Sequence, residues 1–135
     1  MNKIKLGILG GGGDSLIGVL HRVASNMYDR YEITGGVFNP NYDENISFAK
    51  KIGVNTGRVY VDFDTFIEEE TKTPKEDRIE VVSVLTPNFL HFPMAKKLLE
   101  NGFHVICEKP LTTSFNEALE LESLQKKFKA IFAVT

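Results

Sequence analysis

Apolar and polar positions along this chain follow two alternating rhythms. Residues 3–9 (KIKLGIL) alternate with a period of two. The next segment repeats its apolar positions at helical spacing, through Leu16, Val19, Leu20, Val23 and Met27. Between them stand Gly10, Gly11, Gly12 and Gly13. Residues 31–38 (YEITGGVF) predict a second strand, closed by the turn Asn39-Pro40-Asn41. Asp43 is expected to cap a helix carrying Ile46, Ala49 and Ile52, with Gly53 stopping it. Residues 59–61 predict a short third strand, and Asp62 the cap of a brief helix with Phe63, Phe66 and Ile67 on one side. Residues 71–78 are polar, contain Pro74 and predict a solvated loop.

Residues 79–85 (IEVVSVL) are β-branched and mostly apolar, as a strand buried on both faces requires. Thr86-Pro87-Asn88 ends it. A helix starts between Asn88 and Pro93, since proline is tolerated only in a first turn. Ala95, Leu98 and Leu99 form its inner side, and Gly102 lies just past its end. Residues 103–107 (FHVIC) predict a fifth strand, interrupted by Glu108-Lys109-Pro110. Ser114 and Glu117 form a capping box for a helix with Ala118, Leu121, Leu124 and Phe128 inward, and residues 130–134 begin a sixth strand. Such alternation predicts an α/β, doubly wound parallel sheet of about six strands with helices on both faces. The first and fourth strands would be neighbours, and the glycine turn, residues 86–91 and residues 108–110 would open onto the crevice at their carboxyl ends.

Composition narrows the choice of partners. The 135 residues suit one domain, and a net charge of −2 without a basic stripe argues against nucleic acid. No apolar run approaches the roughly 20 residues needed to cross a membrane. Lys96-Lys97 and Lys126-Lys127 predict solvated helix faces. The single Cys107 has no partner for an internal disulfide, and no secretory pattern opens the chain, which together suit the cytoplasm. No metal-ligand set is expected.

A strand that turns through glycines into a helix collects free N–H groups and a positive dipole end, which suits a phosphate. Gly10 and Gly12 match the start of the G-x-G-x-x-G fingerprint, but the third glycine, Gly18, comes five residues after Gly12 instead of two. Asn39 stands where an NAD-preferring domain commonly has an acidic residue on the ribose. It can bond a hydroxyl without repelling a 2′-phosphate, and no Arg or Lys lies between Asn39 and Asn45 to welcome one. NAD is therefore favoured slightly over NADP. Plain turn chemistry also accounts for these residues.

The chain resembles the N-terminal half of the glucose–fructose oxidoreductase/inositol dehydrogenase (Gfo/Idh/MocA) family. The resemblance is carried by Gly10 to Gly13 with Ile17-Gly18 and His21, by Thr86-Pro87-Asn88 with His91, and by Glu108-Lys109-Pro110. It implies a Rossmann domain, residues 1–135, of a longer NAD- or NADP-dependent oxidoreductase acting on sugars, polyols or related hydroxy compounds. A second α/β domain would complete the substrate site and form the interface of a homo-oligomer, leaving this chain inactive alone.

By the same resemblance, Gly10, Gly11, Gly12, Gly13, Asp14, Ser15, Leu16 and Ile17 would wrap the pyrophosphate. Thr86, Pro87 and Asn88 would run past the nicotinamide ribose, with His91 near that sugar or the pyrophosphate. Glu108 would help fix the nicotinamide side. Lys109 would be the catalytic residue, its ammonium holding the substrate oxygen, and partial burial would lower its pKa. Pro110 would fix where Lys109 points and permits a cis bond. His21 and His104 are expected to be structural, and Cys107 a small buried residue. Two other classes fit the glycine turn: a non-catalytic dinucleotide-binding regulatory module, and a methyltransferase using S-adenosylmethionine. The latter usually carries an acid where this chain has Asn39.

Overall fold

The computed structural model describes residues 2–135. Its strands are β1 (Ile4–Gly10), β2 (Tyr31–Val37), β3 (Val81–Leu85), β4 (His104–Cys107) and β5 (Phe132–Val134), all parallel, in the order β2-β1-β3-β4-β5. The helices are α1 (Leu16–Asn26), α2 (Tyr42–Lys51), α3 (Phe63–Lys72), α4 (His91–Glu100) and α5 (Phe115–Phe128). The first strand and the one at residues 81–85 are neighbours, as the alternation predicts.

The sheet has five strands, not six, because residues 59–61 make no strand. Val59 forms a single bridge with Gly36, and the Tyr60 N–H donates to the Gly36 carbonyl at 3.0 Å. The Tyr60 carbonyl accepts from the Asn45 side chain at 2.8 Å instead of continuing a ladder. The cap of α2 also differs: Asn41, not Asp43, accepts the Glu44 N–H at 3.1 Å. Asp62 and Ser114 cap α3 and α5 as their spacing predicts, Ser114 in a full capping box with Glu117.

Alternation along β1 sends Leu6 and Ile8 to one face and Leu9 to the other. Leu9 joins a large cluster with Phe66, Leu98, Leu99, Phe103 and Leu121, contributed largely by α3, α4 and α5. Leu6 and Ile8 join a smaller one with Phe38, Phe48 and Ala49, beside α2. Helix α1 belongs to neither. Its buried residues are Gly18 and Ser25, while Leu16, Leu20, Val23 and Met27 are more than half exposed. Helical spacing identifies an apolar stripe but not the direction in which it points.

Candidate functional site

Parallel pairing settles where the loops emerge. Gly10 pairs with Leu85, and Val84 with Cys107, so β1, β3 and β4 end side by side. The glycine loop, residues 86–90 and residues 108–110 all leave the sheet along this rim. Asn39 joins them two residues beyond β2.

The loop is shaped by close approach. A Cβ on Gly18 would lie 1.8 Å from the Gly11 carbonyl oxygen, so α1 rests directly on the loop backbone. The late glycine thus performs the helix-packing task of the fingerprint's third position. Gly12 donates its N–H to the Phe38 carbonyl at 3.1 Å, and the Phe38 N–H in turn donates to Asn45 Oδ1 at 2.8 Å. Gly13 adopts φ +57° with no heavy atom within 4 Å of a built Cβ, so the crest of the loop faces open space. Ser15 caps α1 by accepting the Gly18 N–H at 3.1 Å, while the N–H groups of Leu16 and Ile17 have no intrahelical acceptor. This bare backbone at the positive end of a helix fits a pyrophosphate. Arg22 braces it, donating to the Gly11 carbonyl at 2.8 Å and lying over the Phe48 ring at 4.9 Å. Its contacts are long-range, and no local pattern singles it out.

A cleft of about 520 Å³ opens between the loop, residues 38–40 and residues 85–87. Asn39 is half-buried at its edge. Thr86 and Pro87 line it, the Thr86 hydroxyl lying 3.6 Å from Met94 Sδ. Asn88 opens a short 3₁₀ turn, and its side-chain oxygen is buried with no partner among the described residues.

His91 does not stand on the rim. It is buried beneath it, with Nδ1 2.8 Å from the Pro110 carbonyl and Nε2 2.9 Å from the Thr86 carbonyl. Both ring nitrogens thus face protein carbonyls, so the side chain lies between two rim loops and aims neither nitrogen into the cleft.

Glu108 is likewise engaged by protein. Its Oε1 lies 2.9 Å from His21 Nε2 and accepts from the Thr135 hydroxyl at 2.7 Å, while Oε2 accepts the Lys109 N–H at 3.2 Å. Burial alone would push this carboxyl up, but hydrogen bonds from His21 and Thr135 outweigh it and hold the group below its ordinary value. His21 thereby ties α1 to the loop after β4. Lys109 is exposed, makes no ion pair among the described residues, and precedes a cis peptide bond to Pro110. Its exposure departs from the expected partial burial. Cys107 is fully buried, its thiol pushed up to about 12 by burial, then by Glu108. His104 accepts the Ile131 N–H at 3.1 Å, a structural contact.

A doubly wound parallel sheet with a glycine loop at its switch point defines a dinucleotide-binding domain. The chain belongs to the Gfo/Idh/MocA oxidoreductase family, whose NAD-binding Rossmann-fold model matches residues 4–135. The uncharacterized oxidoreductase YfiI of Bacillus subtilis (strain 168) is 37% identical over 133 residues, spanning 98% of this chain and 33% of that protein. Glucose-6-phosphate 3-dehydrogenase of the same organism is 33% identical over 114 residues, 84% of this chain and 28% of that one. The solved structure of an inositol dehydrogenase homolog from Azotobacter vinelandii, complexed with NADH and myo-inositol, matches with a TM-score of 0.95 at 35% identity. It covers 99% of this chain and 35% of that one. The chain thus spans about a third of the length of the curated relatives it matches.

Proposed function

We propose that this chain binds NAD or NADP along the rim and is the cofactor-binding domain of a longer enzyme. That enzyme would transfer hydride between the nicotinamide and a CH–OH carbon of a sugar, polyol or related hydroxy compound. The observation that carries the reading is the common rim: the bare glycine loop leaves β1 and Lys109 leaves β4, the two strands that flank β3, at the same end of the sheet. The likeness to a homolog solved with NADH and myo-inositol supports the same reading.

Gly10 to Gly13, with residues 14–17, would hold the pyrophosphate through backbone N–H groups, and Thr86, Pro87 and Asn88 would border the nicotinamide half. When bound, the nicotinamide supplies the hydride acceptor or donor. As the alcohol C–H bond breaks, the hydroxyl proton must leave and negative charge grows on oxygen. Lys109 would hold that oxygen and stabilise the charge. Glu108 would position Lys109 through its backbone, and His91 would act from below by joining the turns on either side. The substrate pocket, the oligomer interface and the proton's final acceptor would lie in the two thirds of the enzyme that this chain does not span. The full enzyme would be a cytoplasmic homo-oligomer.

Fluorescence titration of the chain with NADH and NADPH tests the binding half, with dissociation constants expected between micromolar and millimolar. Binding of neither dinucleotide would remove the proposal. In the full-length enzyme, Lys109→Ala is expected to lower kcat by at least a hundredfold while changing cofactor affinity little. Weakened cofactor binding with kcat intact would take Lys109 out of the chemistry.

A further inference from the structure

We propose that Glu44 sets a preference for NAD over NADP at this site, an inference that rests on the dinucleotide-binding function proposed above. In doubly wound domains the residue at the end of the second strand meets the adenosine ribose, and a carboxylate there selects the 2′-hydroxyl. Here that position is the uncharged Asn39, which by itself discriminates weakly. Its side chain is not free, however. Asn39 Oδ1 accepts the Asn41 N–H at 2.8 Å, and its Nδ2 donates to Glu44 Oε2 at 2.8 Å. A carboxylate oxygen is therefore one hydrogen bond away from the ribose position, delivered from α2 instead of from the strand.

Glu44 is held at both ends. Its N–H donates to the cap residue Asn41 at 3.1 Å while its carboxylate grips Asn39. A pocket of about 440 Å³ runs from Gly13 to this corner, and its charged lining residues are Asp43, Glu44 and Lys51. The positive end of α2 would by itself welcome a phosphate. Asp43 and Glu44 occupy that first turn with negative charge. Lys51 is the opposing cation, but it lies seven residues after Glu44 along α2, about 10 Å along the helix axis. Two carboxylates against one cation leave the corner net negative. A ribose hydroxyl finds acceptors in this corner, whereas a 2′-phosphate meets a like charge at close range.

The test uses the 135-residue chain and measures dissociation constants for NADH and NADPH by fluorescence titration, with circular dichroism to monitor folding. The wild type is expected to bind NADH more tightly. Glu44→Gln keeps the side chain's shape and an oxygen for Asn39, and should shift the ratio toward NADPH by about tenfold. A second measurement needs no variant: raising the salt concentration should narrow the wild-type ratio, because an exposed charge is screened. If NADH binds and neither Glu44→Gln nor salt moves the ratio, the inference is overturned and the binding function stands. Failure of the wild type to bind either dinucleotide overturns the binding function instead, and the inference with it.

Discussion

Glu108 shows how a side chain can matter to a site without offering an atom to the ligand. Two oxygens serve three donors drawn from α1, from Thr135 and from Lys109, and the side chain is only 13% exposed. Its depressed pKa carries a sign. The ionised group adds stability that is fully present above the ordinary carboxylate value of 4.5 and is lost as pH falls through the lower folded value. The melting temperature is therefore expected to decline below pH 4.5, with a shallower decline in Glu108→Gln, which has no such charge to protonate. Thermal melts of both proteins across the acid range provide the check. Parallel curves would show that Glu108 takes no part in the acid response.

Helix α3 supplies the matching case on the opposite side of β3. Glu70 is fully buried and receives a bidentate grip from Arg58 at 2.8 and 2.7 Å, the Tyr60 hydroxyl at 2.6 Å and the Ile79 N–H at 3.0 Å. Burial, followed by the bond to Glu70, raises the Tyr60 phenol above its ordinary value. Glu70→Ala would leave a guanidinium, a phenol and an amide without their acceptor, at a cost of about 3–5 kcal/mol. Because Ile79 precedes β3 and the rim follows it, NADH affinity of the folded variant should be unchanged. Urea denaturation measures the first quantity and titration the second; a stability loss below about 1 kcal/mol would contradict the account. Helical spacing puts Glu70, unlike Glu68 and Glu69, on the side of Phe66 and Ile67. Its partners Arg58, Tyr60 and Ile79 lie on other segments, however, and no local pattern names them. The same reason hides Arg22, Asn45 and the burial of His91, whose partner Pro110 comes 19 residues later. The caps at Asp62 and Ser114 were legible because donor and acceptor sit three residues apart. Strand order was legible because apolar periodicity and crossover rules act on whole segments. Two plausible caps side by side, Asn41 and Asp43, were not separable by pattern.

Taken whole, the molecule has its apolar cores on either side of the sheet and one apolar stripe outside both. Helix α1 is fastened through small and polar contacts: Gly18 against Gly11, Arg22 to the Gly11 carbonyl, His21 to Glu108. Its leucines and valines face solvent, Leu20 at 53% and Val23 at 57% exposure. An apolar surface that adds little to folding still lowers free energy when two copies meet. Two consequences follow, one for stability and one for association. Leu20→Lys and Val23→Lys should each change stability by no more than about 0.5 kcal/mol, whereas Leu98→Ala, fully buried in the larger core, should cost about 2–5 kcal/mol. The lysine pair should also suppress any concentration-dependent association of the isolated chain, because two cations on the stripe repel their counterparts on a second copy. Chemical denaturation separates the stabilities, and sedimentation velocity at rising concentration reads the association. If the lysine variants unfold as readily as Leu98→Ala, the stripe packs inward and the placement of α1 is wrong.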